Sequence, residues 1–260
     1  MTRPAAKKAL GQHFLVDENL LGVIGRLAEL DVDDVALEVG PGQGVLTNYL
    51  AERVARVHAV EVDRSLAPAL DESVGDHANV ELHFGDALRL DLAAFDPLPT
   101  KLVSNLPYNI ATPLVVESLD GLPSVKLWTV MVQREVAERF FARPSTKAYG
   151  AVSVLVQVAA ERTGFHAVSR TVFRPRPNVD SALVAFRRRE LPARYPEVKR
   201  LVTAAFAHRR KRLANSVELA ALASRDEAAA ALEAIGREPS VRAEELEPVE
   251  FVALADALRR

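Results

Sequence analysis

The stretch from Val35 to Arg53 constrains this chain more than any other. A short apolar run, Val35–Val39 (VALEV), enters a loop with glycines at 40, 42 and 44, which opens into helical apolar spacing from about Gly44 to Arg53. Glycines at alternate positions let the backbone turn tightly and let a ligand approach with no Cβ in the way. The alternation continues downstream. Val57–Val62, Val80–Phe84, Lys101–Ser104 and Val125–Val132 are strand candidates. Asn19–Leu30, Leu66–Ser73, Ile110–Leu119 and Arg134–Phe141 are helix candidates, with Pro113 in a first turn where proline is tolerated. Periodicity leaves Ala151–Ala160 and Ala182–Phe186 open between helix and strand. Strands alternating with helices predict an α/β fold, a parallel sheet with helices on both faces.

After about Arg189 the character changes. Pro192 and Pro196 punctuate a polar stretch, and the remainder is alanine-rich with no convincing strand. Helices are predicted over Glu197–Ala207, Arg210–Leu222, Asp226–Ala234 and Pro248–Leu258, with Pro248 in a first turn and Gly236 just past a helix end. The expected division is an α/β domain over 1–189 and a small all-α domain over 190–260. A chain of 260 residues is long enough for both. An apolar fraction of 49% with 26% charged residues excludes a disordered chain. Cysteine is absent, which excludes a disulfide scaffold, a cysteine nucleophile and cysteine-ligated metal, and no metal site is expected. With neither a membrane-length apolar run nor an apolar leader after the first lysines, a cytoplasmic monomer is expected.

The glycine loop fails two nucleotide-phosphate patterns. A dinucleotide fingerprint starting at Gly40 needs glycine where Val45 stands, and one starting at Gly42 needs glycine where Thr47 stands. A P-loop needs lysine after Gly44. What remains is a glycine turn preceded by Glu38, with no lysine to hold phosphate. Glu61 ends the second strand, where a carboxylate can accept from ribose hydroxyls, and Asp86 follows the third, where it could address an adenine amino group. Ligands of doubly wound sheets bind outside the carboxyl ends of the strands, and S-adenosylmethionine, a nucleoside without phosphate, fits this set.

Asn105-Leu106-Pro107-Tyr108 follows the fourth strand. An exocyclic amine is a poor nucleophile because its lone pair is conjugated into the ring. An Asn amide oxygen and a backbone carbonyl two residues on could accept its N–H bonds and draw that pair out of conjugation. Pro107, with its locked φ, would fix the carbonyl direction, and Tyr108 offers a face for a flipped base. The chemistry suggested is direct methyl transfer, driven by orientation and desolvation. A net charge of −2 conceals a basic strip: Arg170 to Arg212 carries a balance of +10 and the rest of the chain −12. Such a strip suits a polyanion.

These residues resemble a known family. KALGQHFL (8–15), EVGPGQGVLT (38–47), VEVD (60–63), SNLPYNIATPL (104–114), QREVAERFFARPSTKAYG (133–150), FRPRPNVDSALV (173–184) and FAHRRKRLANS (206–216) are similar to the ribosomal RNA adenine dimethyltransferases of the KsgA type, over essentially the whole chain. The resemblance implies a Rossmann-like class I S-adenosylmethionine-dependent methyltransferase domain with a small helical domain. It implies dimethylation at N6 of two adjacent adenosines in the loop of the 3′-terminal hairpin of 16S ribosomal RNA, with a role in small-subunit biogenesis. Carried over by position, His13, Leu15, Glu38, Gly40, Gly42, Glu61, Asp86 and Asn105 would line the donor site. Asn105, Pro107 and Tyr108 would hold the target amine, with Phe173 flanking the adenine. Arg174, Arg176, Arg187, Arg188, Arg189, Arg209, Arg210, Lys211 and Arg212 would contact RNA phosphates. His13 stands where the family often has asparagine, and Ser104 where glycine is common. Two rivals remain: the erythromycin-resistance methyltransferases, which act on 23S ribosomal RNA, and a non-catalytic assembly factor.

Overall fold

The computed structural model describes residues 12–15 and 17–258, so the first four residues of KALGQHFL lie outside the described residues. The chain divides into two compact units. One runs to Ala137 and takes in Arg162–Arg188; the other comprises Glu138–Glu161 and the chain from Arg189 on. The boundary expected near 189 falls at the last crossing between them, whereas Glu138–Glu161, expected in the first domain, groups with the C-terminal helices.

The first unit is built on a seven-stranded sheet. Its strands are β2 (Val35–Val39), β3 (Arg56–Glu61), β4 (Val80–Phe84), β5 (Lys101–Asn105), β6 (Leu127–Gln133), β7 (Ala160–Val168) and β9 (Ser181–Arg188), in the order β4-β3-β2-β5-β6-β9-β7. Strands β4 to β6 pair in parallel, as expected, but β9 runs antiparallel to β6 from Leu127↔Arg187 to Gln133↔Ser181. Between β6 and β9 the chain runs through residues 134–180, which carry two α-helices and β7. Of the two runs left open, Ser181–Arg188 is strand and Ala151–Ala159 is helix. A separate two-residue ladder joins β1 (Phe14–Leu15) to β8 (Phe173–Arg174).

Alternate residues along the strands feed one core. Ala36, Val57, Ala59, Val103, Met131 and Leu183 lie in a single cluster with Leu20, Leu21, Ile24 and Ala28 of α1 (Glu18–Ala28) and Leu46, Leu50 and Ala51 of α2 (Val45–Ala51). Ile24 is 1% exposed, and truncation to alanine there costs about 2–5 kcal/mol through lost burial and a cavity. Helix α1 begins where the Asp17 carboxylate accepts the Asn19 N–H at 2.9 Å and ends short of the predicted Leu30 because Glu29 turns left-handed at φ 48°. Two more helices, α3 (Ala67–Val74) and α4 (Ala111–Gly121), complete the α/β alternation.

The second unit is helical. Helix α5 (Arg134–Phe140) leads into it, followed by α6 (Ala151–Ala159), α7 (Tyr195–Ala207), α8 (Leu213–Leu219), α9 (Arg225–Ala234) and α10 (Pro248–Ala257). Helix α6, VSVLVQV, is apolar on most sides and packs against α7 and α10, which is why it joins this unit. Tyr149, fully buried, donates its hydroxyl to the Leu246 carbonyl at 2.7 Å.

Candidate functional site

The strand order reverses between β2 and β5. Their ladder pairs only Ala36↔Lys101 and Leu37↔Leu102, so the two strands part toward their carboxyl ends and open a crevice. Parting leaves the Val39 N–H without a ladder partner, and Ser104 Oγ accepts it at 2.8 Å. A glycine at 104 has no atom to do this. The serine therefore ties the mouth of the crevice together, a role its small size alone does not reveal.

A cleft of about 690 Å³, counting its solvent-open part, occupies this position. It collects His13, Leu15, Glu38, Gly40, Gly42, Glu61, Asn105, Pro107 and Tyr108, nine of the residues predicted from sequence. Gly40 and Gly42 have φ of 79° and 61°. A Cβ on Gly42 would lie 2.8 Å from the Phe14 ring, and one on Gly40 would lie 3.1 Å from the Pro107 ring. Both the backbone twist and the space therefore demand glycine.

The carboxylates differ in how they are held. Glu61, 5% exposed, accepts the Asp63 N–H at 2.9 Å and the Gly42 N–H at 3.3 Å. Burial raises its pKa although backbone N–H groups, that of Val62 among them, act to lower it, and of the carboxylate's roughly four lone-pair sites one is left for a further donor. Glu38 is 1% exposed and accepts Thr47 Oγ1–H at 2.7 Å. Burial, with the Glu61 charge adding to it, pushes its pKa up to about 8. Asp63, missed in the sequence although it closes the VEVD motif, accepts from Gln12 Nε2 at 3.2 Å and from Ser65. It thereby anchors the N-terminal wall of the cleft.

The tetrapeptide at the end of β5 forms another wall. Asn105 Nδ2 donates to the His13 carbonyl at 3.0 Å, which leaves Oδ1 as the unspent acceptor of the amide. The carbonyl two residues on is that of Pro107, and it accepts both Ile110 N–H and Ala111 N–H at 3.1 Å at the start of α4. Both its lone pairs are used, so it cannot be the second acceptor expected from sequence. Leu106 also lines the cleft, and among the described residues no N–H donates to its carbonyl. The Tyr108 hydroxyl meets Ser181 Oγ at 2.7 Å, fixing a ring whose centroid lies 5.5 Å from that of His13. Burial raises the Tyr108 pKa, so the phenol stays protonated. His13 is itself held, Nδ1 lying 2.8 Å from the Pro175 carbonyl. Ser181 and Pro175 were legible only as unassigned members of the FRPRPNVDSALV stretch.

Several predicted residues lie elsewhere. Asp86 is absent from the cleft lining; its carboxylate accepts the Leu88 N–H at 3.0 Å and sits 3.5 Å from Arg89, a turn-capping arrangement. Phe173 pairs with Leu15 and is 2% exposed, so it offers no face to a base here. Arg188 is not a phosphate ligand but a structural clamp. Its guanidinium donates to the carbonyls of Val125, Leu119 and Leu122 at 2.5–2.7 Å and lies 4.8 Å from the Trp128 ring. Arg209 likewise donates to the Lys147 and Tyr149 carbonyls and to Glu244. Arg187 pairs with Glu29, and Arg189 with Glu161. Arg174 and Arg176 are exposed. Arg210, Lys211 and Arg212 are exposed too, and in the second unit they line a basic concavity with Arg225 and Arg242.

A cleft with positive-φ glycines, buried carboxylates and, among the described residues, no lysine fits an adenosine-type ligand that carries positive charge. Comparison with known proteins agrees. Residues 3–258 match the family model described as ribosomal RNA adenine dimethylase. The chain is 49% identical to the ribosomal RNA small subunit methyltransferase A of Rubrobacter xylanophilus, over 96% of this chain and 94% of that one. It is 46% identical to the protein of the same name from Thermobifida fusca, over 96% and 89%. The crystal structure of a dimethyladenosine transferase from Plasmodium falciparum has the same fold, with a TM-score of 0.78 at 23% identity over 93% and 96% of the chains. That of the 23S rRNA methyltransferase ErmE gives 0.69 at 30% identity over 95% and 100%.

Proposed function

This chain belongs to the ribosomal RNA adenine dimethylase family, and on that premise we propose that it dimethylates, at N6, two adjacent adenosines in the loop of the 3′-terminal hairpin of 16S ribosomal RNA. It is an S-adenosylmethionine-dependent methyltransferase of the class I fold, acting on ribosomal RNA. The two relatives near half identity carry the small-subunit name, whereas the 23S enzyme is 30% identical, and this difference favours the small-subunit substrate. Ribosome assembly in the cytoplasm is the setting this reading implies.

S-adenosylmethionine supplies a methyl group already activated on a sulfonium. Everything else falls to the protein. Glu61, pinned by backbone N–H groups, presents its remaining lone pair to the ribose hydroxyls. The turn at Gly40 and Gly42 admits the ligand against bare backbone. Asn105 Oδ1 and the Leu106 carbonyl accept the two N–H bonds of the adenine amine and turn its lone pair toward the donor. The Pro107 ring fixes the Leu106 carbonyl from the next position, and the Tyr108 ring, held by Ser181, stacks on the base. As the N–CH3 bond forms and the S–CH3 bond breaks, the amine releases one proton to solvent at the open side of the cleft; a monomethylated amine retains one N–H, so the same clamp serves a second round. Arg174, Arg176, Arg210, Lys211 and Arg212 contact RNA phosphates.

The single observation that carries the reading is the Asn105 amide, whose nitrogen is held by the His13 carbonyl and whose oxygen accepts no hydrogen bond among the described residues, inside a cleft that fits the donor. Incubation with tritiated S-adenosylmethionine and immature ribosomal subunits tests it. Label is expected in the 3′ hairpin of 16S RNA. Label in 23S RNA would transfer the chain to the erythromycin-resistance type, and no label would leave a binding role in assembly.

A further inference from the structure

Outside the cleft, on the side of the sheet opposite Val57 and Ala59, lies a second constellation. His58 stands on β3, and Glu81 and His83 stand two residues apart on the edge strand β4. His58 and Glu81 are register partners, so all three side chains share one face. His58 Nδ1 is 3.1 Å from His83 Nε2, and each lies 3.7 Å from an oxygen of Glu81. Donors about 2.0–2.2 Å from a tetrahedral ion are about 3.3–3.5 Å apart, so the ion needs only a few tenths of an ångström of adjustment.

The surroundings resemble a metal site beyond its ligands. His58 is fully buried, and its Nε2 lies 2.9 Å from the Pro97 carbonyl. An N–H on Nε2 fixes the tautomer and leaves the Nδ1 lone pair aimed at the cluster, as a carbonyl behind a metal-bound imidazole does. Phe95 stacks on the His83 ring at 4.1 Å and lies 5.0 Å from His58, walling one side. Glu81 is 45% exposed, so the remaining coordination positions face solvent.

We propose that His58, Glu81 and His83 bind a borderline divalent transition metal of the zinc class. The ion cross-links β4 to β3 and steadies the segment carrying Phe95 and Pro97, taking no part in methyl transfer. Without metal, His83 Nε2–H donates to His58 Nδ1; on binding that proton resides on His83 Nδ1 instead, with no net release. No metal site was expected from a chain without cysteine, and the histidine on β3 stands far in sequence from the E-x-H pair on β4.

Tag-free, chelator-stripped protein titrated with Co²⁺ should develop ligand-field absorption that saturates at one equivalent and is bleached by Zn²⁺, and Zn²⁺ should raise the melting temperature. Glu81→Gln and His83→Gln are partly exposed changes that leave buried His58 in place. Each should weaken Co²⁺ binding by more than about tenfold, and the pair should abolish it, while metal-free methyl transfer stays at the wild-type rate. Absence of Co²⁺ absorption in the wild-type protein, or equal absorption in the double variant, would overturn the site and leave a histidine–histidine hydrogen bond.

Discussion

The cleft and the basic strip were equally plain in the sequence, yet they fared differently in the fold. Nine predicted residues, spread from His13 to Tyr108, line one cleft. Of nine basic residues assigned to RNA, Arg188 and Arg209 are bound to backbone carbonyls, and Arg187 and Arg189 to glutamates. The lesson is about what forces convergence. Strand ends at a switch point must meet because the sheet places them there. A guanidinium has five donors on a flexible stem, and nothing in a charge count says whether carbonyls will claim them.

The largest test of that contrast is Asn105→Ala. Loss of one acceptor for the target amine should lower kcat/KM for methyl transfer by about 100- to 1,000-fold. Affinity for S-adenosylmethionine, read by calorimetry, should fall by less than tenfold, roughly the share owed to the His13 contact. Equal losses in both would confine Asn105 to the donor pocket.

The strip divides on a paired experiment. Arg188→Ala strands three carbonyls at the end of α4 and should cost about 1–3 kcal/mol in denaturant unfolding. Arg210→Ala should change stability by no more than about 0.5 kcal/mol, yet weaken RNA binding and reduce its salt slope by about one. If the two variants behaved alike in both assays, the distinction between clamp and contact would fail.

The last test turns on Glu38 and pH. Its folded pKa of about 8 lies above the ordinary carboxylate value of 4.5, so between those values the folded chain holds a proton that the unfolded chain has lost. Its contribution is therefore intact at low pH and declines as pH rises through that window. Glu38→Gln can keep the Thr47 hydrogen bond and does not titrate. Its melting temperature relative to wild type should climb from about pH 5 to about pH 8.5; a constant offset would show that the carboxyl ionises normally.

Much of the architecture was legible. Strands β2 and β4 match their predicted bounds, because a five-residue run that begins and ends on apolar residues and is flanked by turn residues has few alternatives. The run over Ala151–Ala159 was not decidable, since an apolar segment reads alike as buried strand or buried helix. Strand β7, AERTGFHAV, went unrecognised: it is an edge strand, mostly exposed, and lacks the apolar run that marked the others. In the site, short motifs revealed the glycine turn and the Asn105 amide, whereas Phe173, placed by resemblance, lies in the core, and Asp86, placed by its position after a strand, caps a turn.

The sequence by itself determined the strand–turn–helix grammar, the positions that must be glycine and the residue types that meet at the crevice, because these follow from covalent geometry and spacing along the chain. Only the tertiary structure decided how donors and acceptors were spent. It spent the Pro107 carbonyl on the start of α4 while, among the described residues, no N–H donates to that of Leu106, turned Ser104 into a tie for Val39, and gathered His58, Glu81 and His83 from two strands. A hydrogen bond depends on where a partner tens of residues away comes to rest, and that is fixed only when the sheet has formed.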